Sequence, residues 1–180
     1  MRLIKAFNFA AKKHQGQERR GTKLPYVIHP VIVSHLISKY KAQSKHLEDL
    51  QIAALLHDTI EDTDTTYQEI EREFGPLVAS LVMELTSDPV MVKELGKNKY
   101  LMQKMTKMSK YAFVLKLIDR LSNIYDQPGE SYARKTIQLM DHLRANREEL
   151  TERQILIMDE IDDACDSFLG VKDECELDLL

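Results

Sequence analysis

The segment Leu55-Leu56-His57-Asp58-Thr59-Ile60-Glu61-Asp62-Thr63 constrains this chain more than any other. Ala53, Ala54, Leu55 and Leu56 form an apolar run, so a helix that must be partly buried ends in His57, Asp58, Glu61 and Asp62. Burying a carboxylate or an imidazolium is costly unless the group is paired, hydrogen-bonded or bound to an ion. On a continuous helix, His57 and Glu61 stack one turn apart, as do Asp58 and Asp62, on neighbouring strips of one surface. The bland reading is a charged helix end running into a Thr/Asp-rich turn. Four polar groups beside an apolar run favour a lined pocket, with a metal ion next to an acid/base pair.

The remaining sequence is helical in period and single-domain in size, with 180 residues of which 43% are hydrophobic. Leu3, Ile4, Phe7, Ala10, Ala11 and His14 follow helical spacing. Residues 16–28 read as a loop around Gly21 and Pro25, and Pro30 suits the first turn of a helix running from Val31 to Tyr40. A third helix is expected over 47–61. Thr66 and Glu69 form a capping box for a fourth, and Gly75-Pro76 separates it from a fifth ending near Thr86. Residues 87–96 read as a loop. Further helices are expected over 97–108, 112–126, 131–146 and 149–168, with a turn at Pro128-Gly129. No alternating strand pattern occurs. The expectation is an all-α domain over residues 1–170, a single compact bundle of about eight to nine helices, with an acidic tail over 171–180.

Charge narrows the partners. A net charge of −4 argues against nucleic acid as a default partner. Arg2, Lys5, Lys12, Lys13, Arg19, Arg20 and Lys23 face only Glu18 within residues 1–28, a balance that suits an anionic ligand or a solvated basic surface. No apolar run approaches membrane-spanning length, and the N-terminus lacks signal-peptide character. Cys165 and Cys175 fit no disulfide framework or CxxC site, so a reducing, cytoplasmic setting is expected.

Two more segments carry chemistry. His29 lies in Tyr26-Val27-Ile28-His29-Pro30, at a loop-to-helix junction where a lone histidine is usually structural. Asp119 lies in Leu115-Lys116-Leu117-Ile118-Asp119-Arg120-Leu121-Ser122-Asn123, an apolar helix in which a carboxylate needs a salt bridge or a metal. His29, His57, Asp58 and Asp119 together would offer two imidazoles and two carboxylates. That mixed set suits Mn, Fe or Zn better than an all-oxygen calcium site. His14, His35, His46 and His142 stand outside any motif and read as structural or exposed. Met102, Met105 and Met108 read as a core stripe, and Lys93, Lys97 and Lys99 as a solvated basic face.

In this order, Gln17-Glu18-Arg19-Arg20, the YVIHP segment, the HDTIEDT segment, Phe74-Gly75 and KLIDRLSN resemble the HD superfamily of metal-dependent phosphohydrolases. The closer resemblance is to its alarmone hydrolases: the hydrolase half of RelA/SpoT homologues and the free-standing small alarmone hydrolases. It covers about residues 5–125. The resemblance implies hydrolysis of the 3′-diphosphate of guanosine 3′,5′-bis(diphosphate), or its pentaphosphate relative, usually with one Mn2+ ion. It implies His29, His57, Asp58 and Asp119 as ligands and Glu61 and Asp62 as the pair that handles the attacking water. It places Asn123 near the ribose and 3′-phosphate, Arg19 in base stacking, Arg20 at phosphate and, more loosely, Arg134 at the far phosphates. A 180-residue chain leaves no room for a synthetase half, so degradation alone is expected. Three positions depart from the family pattern: Ile118 replaces a small residue, Ser122 stands where His or Tyr is common, and Tyr125 replaces a frequent Arg. They keep open another nucleotide as substrate, such as a nucleoside phosphate or the 2′-phosphate of NADPH, and a non-catalytic nucleotide sensor remains the distant alternative.

Overall fold

The computed structural model describes residues 1–126 and 129–170. Among these residues the chain forms eleven helices and no strand: α1 (Arg2–Lys13), α2 (Ile28–Lys41), α3 (Leu47–Leu56), α4 (Thr59–Asp62), α5 (Tyr67–Phe74), α6 (Pro76–Leu85), α7 (Pro89–Leu95), α8 (Lys97–Lys107), α9 (Lys110–Tyr125), α10 (Glu130–Asn146) and α11 (Glu152–Leu169). The all-α architecture is as expected. The acidic tail, Cys175 and the Pro128 half of the expected turn lie outside the described residues.

The most extensively buried helix lies at the centre. In α9, Phe113, Leu115, Leu117, Ile118 and Leu121 are all essentially inaccessible, and the helix packs against α2, α3, α6 and α11. A helix buried on most of its circumference is a core strut. Any polar group that it carries must therefore be satisfied inside the protein. α3, buried from Ile52 to Leu56, packs on α1, α2, α6 and α9. The α2–α3–α9 contact brings together the helices that carry His29, His57-Asp58 and Asp119. No helix among the described residues is long and apolar enough to cross a membrane.

Two helices beyond the sequence expectation have local causes. Residues 89–95 are helical rather than loop: Asp88 accepts from the backbone N–H groups of Val90 (2.8 Å) and Met91 (3.2 Å), with Pro89 in the first turn. The expected helix over 47–61 breaks at His57-Asp58. Thr59 Oγ1 donates to the Leu56 carbonyl at 2.7 Å, and the ladder resumes with Asp62 N–H to the Asp58 carbonyl at 2.9 Å. The break swings His57-Asp58 toward the core while Glu61 and Asp62 stay at the rim. α2 also starts three residues earlier than expected, at Ile28, which places His29 inside its first turn.

The loop before α2 is ordered by its own backbone. Glu18 and Pro25 form an isolated antiparallel bridge, and the Arg19 N–H donates to the Leu24 carbonyl at 2.8 Å. Much of the basic N-terminal charge is used structurally. Arg2 pairs with Glu48 and Asp49, Lys5 with Glu73, and Lys13 with Asp64 and Glu69. Met105 and Met108 are buried, as a core stripe requires.

Candidate metal centre and active site

His29 is buried at the start of α2, His57 is buried just past α3, and Asp119 is buried in α9. Their ligand atoms all lie within 4.8 Å of one another. His29 Nε2 is 3.0 Å from Asp119 Oδ1, and His57 Nε2 is 3.5 Å from the same oxygen. Asp58 Oδ2 lies 2.8 Å from His57 Nε2 and 4.0 Å from His29 Nε2. The sequence brought forward these four residues, and the fold gathers them from two helices, α2 and α9, and the α3–α4 turn.

Each group is aimed by a partner. His57 Nδ1 donates to the Ala54 carbonyl at 2.7 Å, which leaves Nε2 to point into the cluster. Ser122 Oγ lies 3.3 Å from His29 Nδ1, so the departure from the family pattern at Ser122 orients a cluster histidine. Tyr26 donates its hydroxyl to Asp58 Oδ2 at 2.5 Å. Lys116, one turn before Asp119, pairs with Asp119 Oδ2 at 2.9 Å, leaving Oδ1 for the histidines. Arg120 plays no part in that pairing: it donates to Thr136 Oγ1 and lies over the Tyr132 ring.

These atoms fit a divalent cation. His57 Nε2 is buried and has no hydrogen-bond partner, although Asp58 Oδ2 lies 2.8 Å away. Two imidazole nitrogens and two carboxylate oxygens converging in this way form an N/O donor set for a first-row ion. The protonation of the site tells the same story. Burial opposes charge on His57, but the Asp58 and Asp119 carboxylates outweigh it and push its pKa up to about 10. Burial likewise opposes ionisation of Asp58 and Asp119, yet His57 holds Asp58, and Lys116 with the histidines holds Asp119, well below the usual carboxylate range. Two ionised carboxylates face a single half-buried lysine. The cluster draws in positive charge, which a proton on His57 or a metal ion can supply.

Glu61 and Asp62 sit on α4 beside this centre. Glu61 Oε2 accepts from the Ser87 N–H at 2.8 Å. Burial, together with the Asp58 and Glu61 carboxylates, raises the Asp62 pKa, which makes it a better proton acceptor than an ordinary aspartate. Asn123 Nδ2 donates to Asp119 Oδ1 at 2.8 Å, and Asn123 Oδ1 accepts from Arg19 Nη2 at 2.5 Å. Arg19 also holds Asp126, through Nε at 2.8 Å, and lies 5.9 Å from the Tyr26 ring centre. Arg19 and Asn123 therefore meet at the edge of the cluster. Arg20 is exposed on the preceding loop, and Arg134 is an exposed α10 side chain paired with Glu130 at 2.7 Å. Lys93, Lys97 and Lys99 are exposed. The sequence reading passed over Tyr26 as a site residue and set His14 aside. His14 is buried, with its ring centre 4.8 Å from that of Tyr26. The sequence signal for Tyr26 was its place in the YVIHP segment, and for His14 its nearness to Gln17.

The family described as HD domain matches residues 6–151. Over 125 residues the chain is 40% identical to guanosine-3′,5′-bis(diphosphate) 3′-pyrophosphohydrolase MESH1 of Xenopus tropicalis, covering 69% of this chain and 68% of that protein. It is 39% identical over 131 residues to a guanosine-3′,5′-bis(diphosphate) 3′-pyrophosphohydrolase of Aquifex aeolicus, covering 68% of this chain and 17% of that larger protein. A solved structure of a metazoan ortholog of SpoT that hydrolyses ppGpp superposes with a TM-score of 0.72 at 31% identity, over 89% of this chain and 93% of that one. The residues that gather around His57 lie within the matched region, and the chain belongs to the HD-domain family, among its guanosine-3′,5′-bis(diphosphate) 3′-pyrophosphohydrolases.

Proposed function

We propose that this protein removes the 3′-diphosphate of guanosine 3′,5′-bis(diphosphate) or its pentaphosphate relative, releasing pyrophosphate and GDP or GTP, with one manganese ion as cofactor. The observation that carries the reading is the buried, unpartnered His57 Nε2 beside His29, Asp58 and Asp119, with Glu61 and Asp62 about one turn further on. The activities of the relatives point to the same substrate.

His29, His57, Asp58 and Asp119 would hold the ion. When bound, it supplies positive charge to the phosphate oxygens and makes water a stronger nucleophile at neutral pH. Asp62, aided by Glu61, takes a proton from the water that attacks the phosphorus next to the ribose 3′ oxygen. The bond between phosphorus and the 3′ oxygen breaks, that oxygen regains a proton, and the water oxygen stays in pyrophosphate. Arg19 offers a guanidinium face for the base. Asn123 positions the ribose and 3′-phosphate, and Arg20 and Arg134 meet the outer phosphates.

The test is turnover by the Mn-loaded protein with ppGpp, NADPH and nucleoside monophosphates in parallel. Release of GDP and pyrophosphate from ppGpp at rates well above the others is expected. A protein with a filled metal site that cleaves NADPH or a nucleoside monophosphate and leaves ppGpp intact would overturn the substrate assignment.

A further inference from the structure

His14 closes α1, its backbone N–H bonded to the Ala10 carbonyl at 2.9 Å. Its side chain is 3% exposed. Its Nδ1 lies 2.7 Å from Gln17 Oε1, and Gln17 Nε2 donates to the backbone carbonyl of Asp62 at 2.9 Å. This second bond fixes the Gln17 amide, since only its NH2 can donate to a carbonyl. Gln17 Oε1 then faces His14 as an acceptor, so His14 Nδ1 carries a hydrogen. The other face of the same ring packs against Tyr26, whose hydroxyl holds Asp58. His14 Nε2 is buried without a hydrogen-bond partner.

We propose that His14 is a positioning residue: through Gln17 it fixes the end of α4 that carries Glu61 and Asp62, and through Tyr26 it fixes Asp58 Oδ2, the carboxylate oxygen that faces His57. α4 is a single turn of four residues with no side-chain cap. An isolated turn of that length has little intrinsic stability, so the direction of the Asp62 carboxylate depends on what grips its backbone. The Gln17 amide supplies that grip, and His14 orients the amide. One imidazole thereby ties the reacting pair to the ion-binding carboxylate without touching substrate. The proposal rests on the reading of Glu61 and Asp62 as the proton-handling pair.

The experiment compares kcat, KM and bound Mn for His14→Ala, His14→Asn, Gln17→Ala and the His14→Ala/Gln17→Ala double variant, with Asp62→Asn alongside. Loss of an orienting partner typically costs about 10- to 100-fold in activity. Assayed at saturating Mn, His14→Ala is expected to lower kcat by that factor with KM near that of the parent. His14→Asn, whose amide can donate from the place of Nδ1, is expected to recover most of the rate. The double variant is expected to be no worse than the single ones, because the two residues act as one unit. Unchanged kcat in His14→Ala, a loss that tracks lost metal, equal loss in His14→Asn, or additive losses would each overturn the proposal. If Asp62→Asn keeps the parental rate, the underlying reading of the reacting pair fails instead. Nitrogen-15 NMR of the His14 ring gives a readout independent of turnover: hydrogen on Nδ1 is expected, and a neutral ring with hydrogen only on Nε2 would contradict the network.

Discussion

At the scale of residues, the centre is governed by charge balance. Asp58 and Asp119 stay ionised in a buried place because Lys116 and a proton on His57 offset them. On the proposed ligand assignment a divalent ion would do the work of that proton, so metal and proton would compete. Because the metal-free pKa of His57 is raised to about 10, apparent metal affinity should rise about tenfold per pH unit below that value as the competing proton is lost. Titration calorimetry in buffers of different ionisation heat should show close to one proton released per ion near neutral pH. In the metal-free protein the sign for stability is opposite. A pKa raised above the unfolded value of about 6.5 stabilises the fold fully below that value, and this contribution is lost as pH rises through about 10. Lys116→Met removes the other positive charge from a buried pair, which costs about 3–5 kcal/mol. The loss should appear in denaturant melts with chelator and shrink on adding Mn, since the ion replaces the missing charge. An equal loss with and without metal would refute that balance.

The legibility of these residues in the sequence followed the same physics. His57, Asp58 and Asp119 stood out because ionisable groups in apolar helices need a reason to be there. His29 stood out through its place in YVIHP. Tyr26, Lys116 and His14 did not, because each is an ordinary residue until its through-space partner is known. Tyr26 reaches Asp58 across 32 positions of chain, and Gln17 reaches Asp62 across 45. Ser122 read as a departure from the family pattern, and its buried place beside His29 became visible only in three dimensions.

At the scale of elements, helix ends were read well where a cap or a Gly-Pro pair marks them, and helix interiors less well. Gly75 separates α5 from α6 at φ 95°, with nothing within 4 Å of where a Cβ would sit. Gly75→Ala should therefore destabilise through backbone strain alone, by about 1–3 kcal/mol, measurable as a lower denaturation midpoint with unchanged metal binding. The Thr151/Gln154 capping box at the start of α11 makes Thr151→Ala worth about 1 kcal/mol. The break between α3 and α4 was missed because Thr59 is unremarkable in a helical period. Its hydroxyl interrupts the ladder by taking the Leu56 carbonyl, and this local competition separates His57-Asp58 from Glu61-Asp62. The Asp88-Pro89 start of α7 was a legible signal, overshadowed by the breakers around it.

At the scale of the whole molecule, the fold is a frame built around α9, with α2 and α3 laid against it so that the centre sits where three buried helices meet. A core truncation such as Leu117→Ala, at an inaccessible α9 position, should cost about 2–5 kcal/mol. Saturating metal should offset about 2.7 kcal/mol of such a loss at a hundredfold excess over Kd, because the ion binds the folded state alone. The all-α class was legible because helical period runs through nearly every segment and strand alternation is absent. Which helices meet at the centre was legible only through family resemblance, since periodicity says which face is buried but not against which partner.

The most direct test of the central claim is one turnover measurement in water enriched in oxygen-18, with Mn-loaded protein and ppGpp. GDP and pyrophosphate should appear in equal amounts, with one labelled oxygen in the pyrophosphate and none gained by the GDP, and Asp58→Ala should form neither product. A protein with a filled metal site that leaves ppGpp intact, or places the label in the GDP, would contradict the account.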